Sequence, residues 1–167
     1  MNMIEAVRSC SSKYFRFSGR AMRSEYWYWI LFTVIASIIL GVIDVVFFSN
    51  LAASGVEPLG TIFSLLTFFP GLAVTWRRLH DTGRSGWWYG GAILALIPIS
   101  MVAGFMMFSF SGEQVFTAPL GVLAIIAGLL GVIWLIIIII FTVQDSQYGE
   151  NQYGPNPKDE GNVSVFD

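Results

Sequence analysis

The chain is laid out as four long apolar runs separated by short polar connections. The runs are Trp27–Phe48, Leu59–Trp76, Trp87–Phe110 and Leu120–Val143, each within the roughly 17 to 25 residues that a helix needs to cross a bilayer. The connections, Ser49–Pro58, Arg77–Gly86 and Ser111–Pro119, are too short for a separate soluble domain. The stretch "LLGVIWLIIIIIF" at 129–141 is apolar on every side, which belongs to a helix surrounded by lipid rather than one lying on a globule. The pattern predicts an all-α, polytopic membrane protein: a four-helix transmembrane bundle forming one domain over residues 1–157. The first run is too long, and its end too bulky, for a cleaved signal peptide.

Outside the runs the signals are local. In "IEAVRSCSSKYF", Ile4, Val7 and Tyr14 fall near one helical face and Glu5, Arg8 and Ser12 elsewhere, which predicts a short N-terminal interfacial helix. Ser18 is placed like a helix cap, and Gly19 marks a turn before the first span. Gly83 and Gly86 let the second connection reverse direction. In the tail, Gly149, Gly154, Pro155 and Pro157 argue against a long helix. Its first half, with Tyr148 and Tyr153, is expected to fold back against the cytoplasmic face, and residues 158–167 are expected to be a disordered end.

Composition and charge orient this layout. Of 167 residues, 55% are hydrophobic and 12% charged, about half the charge content of a soluble domain. All nine basic residues (Arg8, Lys13, Arg16, Arg20, Arg23, Arg77, Arg78, Arg84, Lys158) lie in the N-terminal segment, the second connection or the tail. The first and third connections carry only Glu57 and Glu113. Short basic loops stay on the cytoplasmic side, so both termini are expected there. Tyr26, Trp27, Tyr28, Trp29, Trp76, Trp87, Trp88 and Tyr89 mark the same side as an interfacial belt; among the tryptophans only Trp134 lies away from an interface. Cys10 has no partner for a disulfide and reads as a free thiol.

Within the runs, Asp44 is the one ionisable side chain. Near the end of its run, it is expected to meet interfacial water. The alternative is a small transporter or channel, using Asp44 and the spans that Pro70 and Pro98 can kink. Gly121, Ala124, Gly128 and Gly131 line small residues along one face of the fourth helix, for close approach by a helix of the same chain or of a second copy.

The stretch "TWRRLHDTGRSGWWYGG" at 75–91 gathers most of the remaining chemistry. Asp81 stands at helical spacings of four from Arg77 and three from Arg84, which predicts an ion pair with an arginine. His80 adjoins Asp81, but neighbouring residues on a helix do not face each other. No nucleophile is identifiable by spacing, no phosphate loop or dinucleotide fingerprint appears, and one histidine and one cysteine far apart do not make the usual metal sites. A non-enzymatic protein with no cofactor and no metal is therefore expected. "RSEYWYW" and "RSGWWYG" echo each other at a shift of 61 residues, as a shared boundary chemistry or a duplicated hairpin would. Arg20, Arg23, Glu25, Arg77, Arg78, His80, Asp81, Arg84, Asn151 and Tyr153 form the candidate patch. Arginine's planar fork suits phosphate and carboxylate, so the patch would hold anionic lipid headgroups or the acidic segment of a protein partner, not nucleic acid. Internal ion pairing without a ligand is the competing account.

Three blocks, "FSGRAMRSEYWYW" (17–29), "RRLHDTGRSGWW" (77–88) and "DSQYGENQYGPNP" (145–157), stand in this order around the four spans. They resemble the YhaH-type family of small bacterial inner-membrane proteins, a domain-of-unknown-function family (DUF805), from about Tyr14 to Lys158. The chain departs from the family pattern at Asn156, where an acid is frequent. The resemblance implies an inner-membrane location and four helices, and it implies no activity.

Overall fold

The computed structural model describes residues 1–109 and 119–158. Among them the chain is helical: α1 (Met3–Ser12), α2 (Arg23–Phe47), α3 (Ser49–Ala53), α4 (Pro58–Asp81), α5 (Trp87–Ser109) and α6 (Pro119–Val143). Helices α2 and α4 and residues 125–143 of α6 are long and apolar enough to cross a membrane, and α5 is apolar along its length. Their outer faces expose residues such as Ile38, Leu65 and Ile133, as helices solvated by lipid do. Nearly all of the third connection, and residues 159–167 of the tail, lie outside the described residues.

Several boundaries differ from the sequence reading. Helix α4 does not stop at Trp76: Arg77 to Asp81, expected in a loop, continue it. Nothing in that stretch breaks a helix until Gly83 takes φ +75°. There the Gly83 N–H donates to His80 O at 3.0 Å and the Arg84 N–H to Leu79 O at 2.9 Å, the paired bonds of a Schellman ending. Helix α2 begins at Arg23 with Met22 as an uncapped N-cap, so Ser18 caps nothing, although Gly19 does turn at φ +88°. The first connection contains the short α3, which the sequence did not announce.

Helix α1 opens with a capping box between Asn2 and Glu5. Its face toward the protein is Ala6 and Cys10, with Val7 of the predicted apolar face partly buried beside them; Ile4 is 73% exposed and Tyr14 has left the helix. Small side chains let α1 lie close to α2, and Cys10 joins Ala21, Tyr26, Trp29 and Val74 in the core cluster.

Two features fix α4 in this frame. Pro70 has no N–H, so the carbonyl of Leu66 loses its helical donor; the Tyr14 hydroxyl donates to it at 2.7 Å instead. At the α4–α5 turn, a Cβ on Gly86 would stand 2.1 Å from the Trp76 ring, so only glycine fits. Helices α5 and α6 are joined by Trp134, whose ring stacks on Trp88 at 5.3 Å and whose Nε1 donates to Trp88 O at 3.0 Å. Of the small-residue face expected on α6, Gly131 lines the cleft towards α5 together with Ala127, whereas a Cβ on Gly128 would meet open space. The surroundings of Gly121 and Ala124 lie outside the described residues.

Candidate functional site

The polar residues converge at the end of the bundle where α2 begins and α4 and α6 end. Asp81, fully buried, is the centre. Its Oδ1 accepts from Arg20 Nε at 2.9 Å; its Oδ2 accepts from Arg78 and, at 2.6 Å, from the Ser146 hydroxyl. The predicted ion pair therefore exists, but with Arg20 and Arg78 rather than Arg77 or Arg84. Arg20 also donates to Gly149 O at 2.7 Å, Gly154 O at 3.3 Å and Gln147 O. Arg78 donates to Thr142 O at 3.0 Å, Ala21 O at 3.3 Å and Gln144 O. Both guanidinium groups are thus consumed in tying the chain's two ends to α4.

The tail is clasped by neutral groups as well. The Asn151 amide donates to His80 O at 2.9 Å, and the Tyr153 ring stacks on the His80 imidazole at 3.7 Å and 2°. His80 Nδ1 lies 3.1 Å from Gly19 O. Tyr148, expected to share in this, is exposed. Arg23 donates to Val143 O at 2.9 Å and pairs with Asp145, and Arg84 donates to Gln144 Oε1 at 2.7 Å and covers the Phe141 ring at 3.9 Å. Arg23 and Arg78 together satisfy orphan carbonyls at the C-terminus of α6, where the helix dipole favours cations.

Arg77 and Glu25 stand apart from this clasp. Arg77 donates through one terminal nitrogen to Glu25 Oε1 at 2.8 Å, and the Ser9 hydroxyl donates to the same oxygen at 3.0 Å. The Nε and the second terminal nitrogen of Arg77 are buried without a hydrogen-bond partner among the described residues. A buried unsatisfied donor costs about 1–3 kcal/mol, more when charged, and native proteins leave few of them. Arg77 and Glu25 line a cavity of about 560 Å³ together with Lys13, Arg16, Ser18, Gly19, Arg20, Met22, Tyr153 and Pro155. Lys13 and Arg16 were read from the sequence only as topogenic charges; their spacing of three within "KYFRF", among aromatics, was the available signal. Cys10 lies behind Glu25, and burial, reinforced by the Glu25 charge, pushes its thiol up to about 12.

Asp44 sits at the other end of the bundle. It is fully buried rather than in contact with water, and its carboxylate accepts from the backbone N–H of Leu59 at 3.1 Å and of Gly60 at 2.9 Å. It closes the N-terminus of α4 from outside that helix, where a negative charge is favoured, and this accounts for the carboxylate without a transported ion. Among the described residues, no three His, Cys, Asp or Glu side chains are grouped to hold a metal.

Apolar helices able to span a bilayer, closed at one end by buried arginines, define an all-α integral membrane protein. The chain belongs to the family described as "Protein of unknown function (DUF805)", whose profile matches residues 14–155. Inner membrane protein YhaH of Escherichia coli K12 is 39% identical over 145 residues, 87% of this chain and 89% of that protein. Inner membrane protein YhaI of the same strain is 32% identical over 150 residues, 90% and 92% of the two chains. Uncharacterized protein YiiR, also from that strain, is 33% identical over 91 residues, 54% and 56% respectively. No solved structure matches the chain. The family resemblance drawn from the three motif blocks therefore holds, and with it the assignment as an inner-membrane protein.

Proposed function

We propose that this chain is a non-enzymatic inner-membrane module, with both termini in the cytoplasm, that binds an anion in the cavity beside Glu25 and Arg77. The observation that carries the reading is the pair of buried Arg77 nitrogens without a partner, in a cavity also lined by Lys13 and Arg16. Arg20 and Arg78 hold the scaffold, so the binding patch is narrower than the cluster of arginines in the sequence. Arg77→Lys tests it, because lysine keeps the charge facing Glu25 but loses the bidentate fork. Wild-type protein in mild detergent should melt at a higher temperature when phosphate or an anionic phospholipid is added, and Arg77→Lys should show a smaller rise. No rise with either anion, or an acidic protein copurifying in their place, would overturn the reading.

A further inference from the structure

The cavity's own chemistry narrows what it takes and where that ligand comes from. Arg20 is tied to Asp81 and to backbone carbonyls, while Lys13 and Arg77 share the single carboxylate of Glu25, so with Arg16 the basic side chains lining the cavity outnumber this acid by two. Glu25 Oε1 is occupied by Ser9 and Arg77, while Oε2 accepts no hydrogen bond among the described residues. A ligand with acceptors alone would be attracted by the basic groups and repelled by this oxygen. A ligand carrying a phosphate and, beside it, hydroxyl donors satisfies both.

The approach to the cavity runs along the membrane. The Tyr14 hydroxyl reaches Leu66 O, and Leu66 precedes Arg77 by eleven residues, about 16 Å deeper along α4 at 1.5 Å per residue. Phe15 packs on Phe69 at 5.1 Å and remains 65% exposed. Phe69 precedes Arg77 by eight residues, about 12 Å along α4, so Phe15, in the turn after α1, is exposed beside a lipid-facing apolar stretch and lies among acyl chains. Lys13 and Arg16 flank it on the cavity rim, where long basic side chains bury their stems and lift their charges to the headgroups. A soluble anion would have no use for this apolar approach. We infer that the cavity takes the headgroup of an anionic phospholipid of the phosphatidylglycerol type, entering sideways from the leaflet past Phe15.

This inference rests on the anion-binding reading, and the test separates their failures. The full chain in mild detergent is offered phosphatidylglycerol, phosphatidylcholine or soluble glycerol 3-phosphate, with retention read by native mass spectrometry and stabilisation by thermal melting. Phosphatidylglycerol should be retained and phosphatidylcholine, which has no hydroxyl donor and a compensating cation, should not. Lys13→Ala with Arg16→Ala, both on the rim, should weaken phosphatidylglycerol retention about thirtyfold, from the usual worth of two basic residues near an anionic surface. Phe15→Ser should weaken lipid retention and leave any effect of glycerol 3-phosphate unchanged. Equal retention of the two lipids overturns the inference. So does stabilisation by glycerol 3-phosphate matching that by lipid with Phe15→Ser silent, which leaves the anion site standing. If no anion binds, both readings fall.

Discussion

Asp81→Asn removes one charge from the centre of the clasp and almost nothing from its shape. In the folded protein the side chains of Arg20, Arg78 and Asp81 are at most 1% exposed, so two guanidinium groups would be left in the interior with no anion between them. Removing one partner of a buried ion pair costs about 3–5 kcal/mol. Both arginines lose the same partner at once, yet each keeps its carbonyl acceptors, so the two losses do not simply add; about 3–5 kcal/mol in total is the expectation. For a chain of this size that corresponds to a melting temperature lower by about 10 °C, read by tryptophan fluorescence in mild detergent. The same clasp holds residues 144–154 through Arg20, Arg78 and Ser146, so limited proteolysis should nick the tail early in the variant and late in the wild type. Ser146→Ala, which deletes one neutral donor, should cost about 1 kcal/mol. A loss below about 1 kcal/mol for Asp81→Asn, with the tail still resistant, would mean that the arginines are not buried against this carboxylate and that the clasp is wrong.

Three further outcomes follow from other parts of the structure. With its thiol raised from 9.0 to about 12, Cys10 should resist iodoacetamide at pH 8, where only about one thiol in ten thousand is ionised, and react once the protein is unfolded; because folding raises this pKa, its contribution to stability is full below pH 9 and declines as pH rises beyond. Rapid labelling of folded protein would detach α1 from α2. Asp44→Ala should destabilise by about 1–2 kcal/mol through the lost cap on α4, and Asp44→Asn by less, both measured by thermal melting; an unchanged melt for Asp44→Ala would remove the capping role. Reporter fusions after Lys158 should read cytoplasmic and fusions within Ser49–Pro58 or Ser111–Pro119 external, and an external C-terminus would reverse the orientation.

The spans were legible because lipid imposes one simple demand, an apolar surface on all sides of a hydrogen-bonded helix, and the runs meet it without reference to partners. The end of α4 was not, since the apolar run and the helix stop at different places: polarity begins at Arg77, but the backbone is released only at Gly83. The face of α1 that packs on α2 was not legible for a related reason. Ile4 outweighs Ala6 and Cys10 on any hydrophobicity scale, yet close packing against α2 selects the small residues and leaves the isoleucine outside. Nor did the sequence mark Tyr14 as the donor to Leu66 O. Pro70 announces a freed carbonyl four residues earlier, but nothing in the chain says which side chain will reach it.

The adjacent arginines 77 and 78 pose the same problem within the site itself. As neighbours on a helix they point about 100° apart, so one faces α2 while the other faces Asp81 and the end of α6. Arg78 meets carbonyls there, because α6 terminates beside it and leaves Thr142 O and Gln144 O unpaired until the guanidinium arrives. Arg77 meets Glu25 and no carbonyl. The residue type, the charge and the position in the motif are the same; only the supply of acceptors differs, and that supply is fixed by segments 52 residues away for Arg77 and up to 66 for Arg78. A dipeptide read as one basic patch therefore divides into a structural arginine with every nitrogen partnered and a second with two nitrogens left over. It is the second whose spare donors the proposed anion would meet.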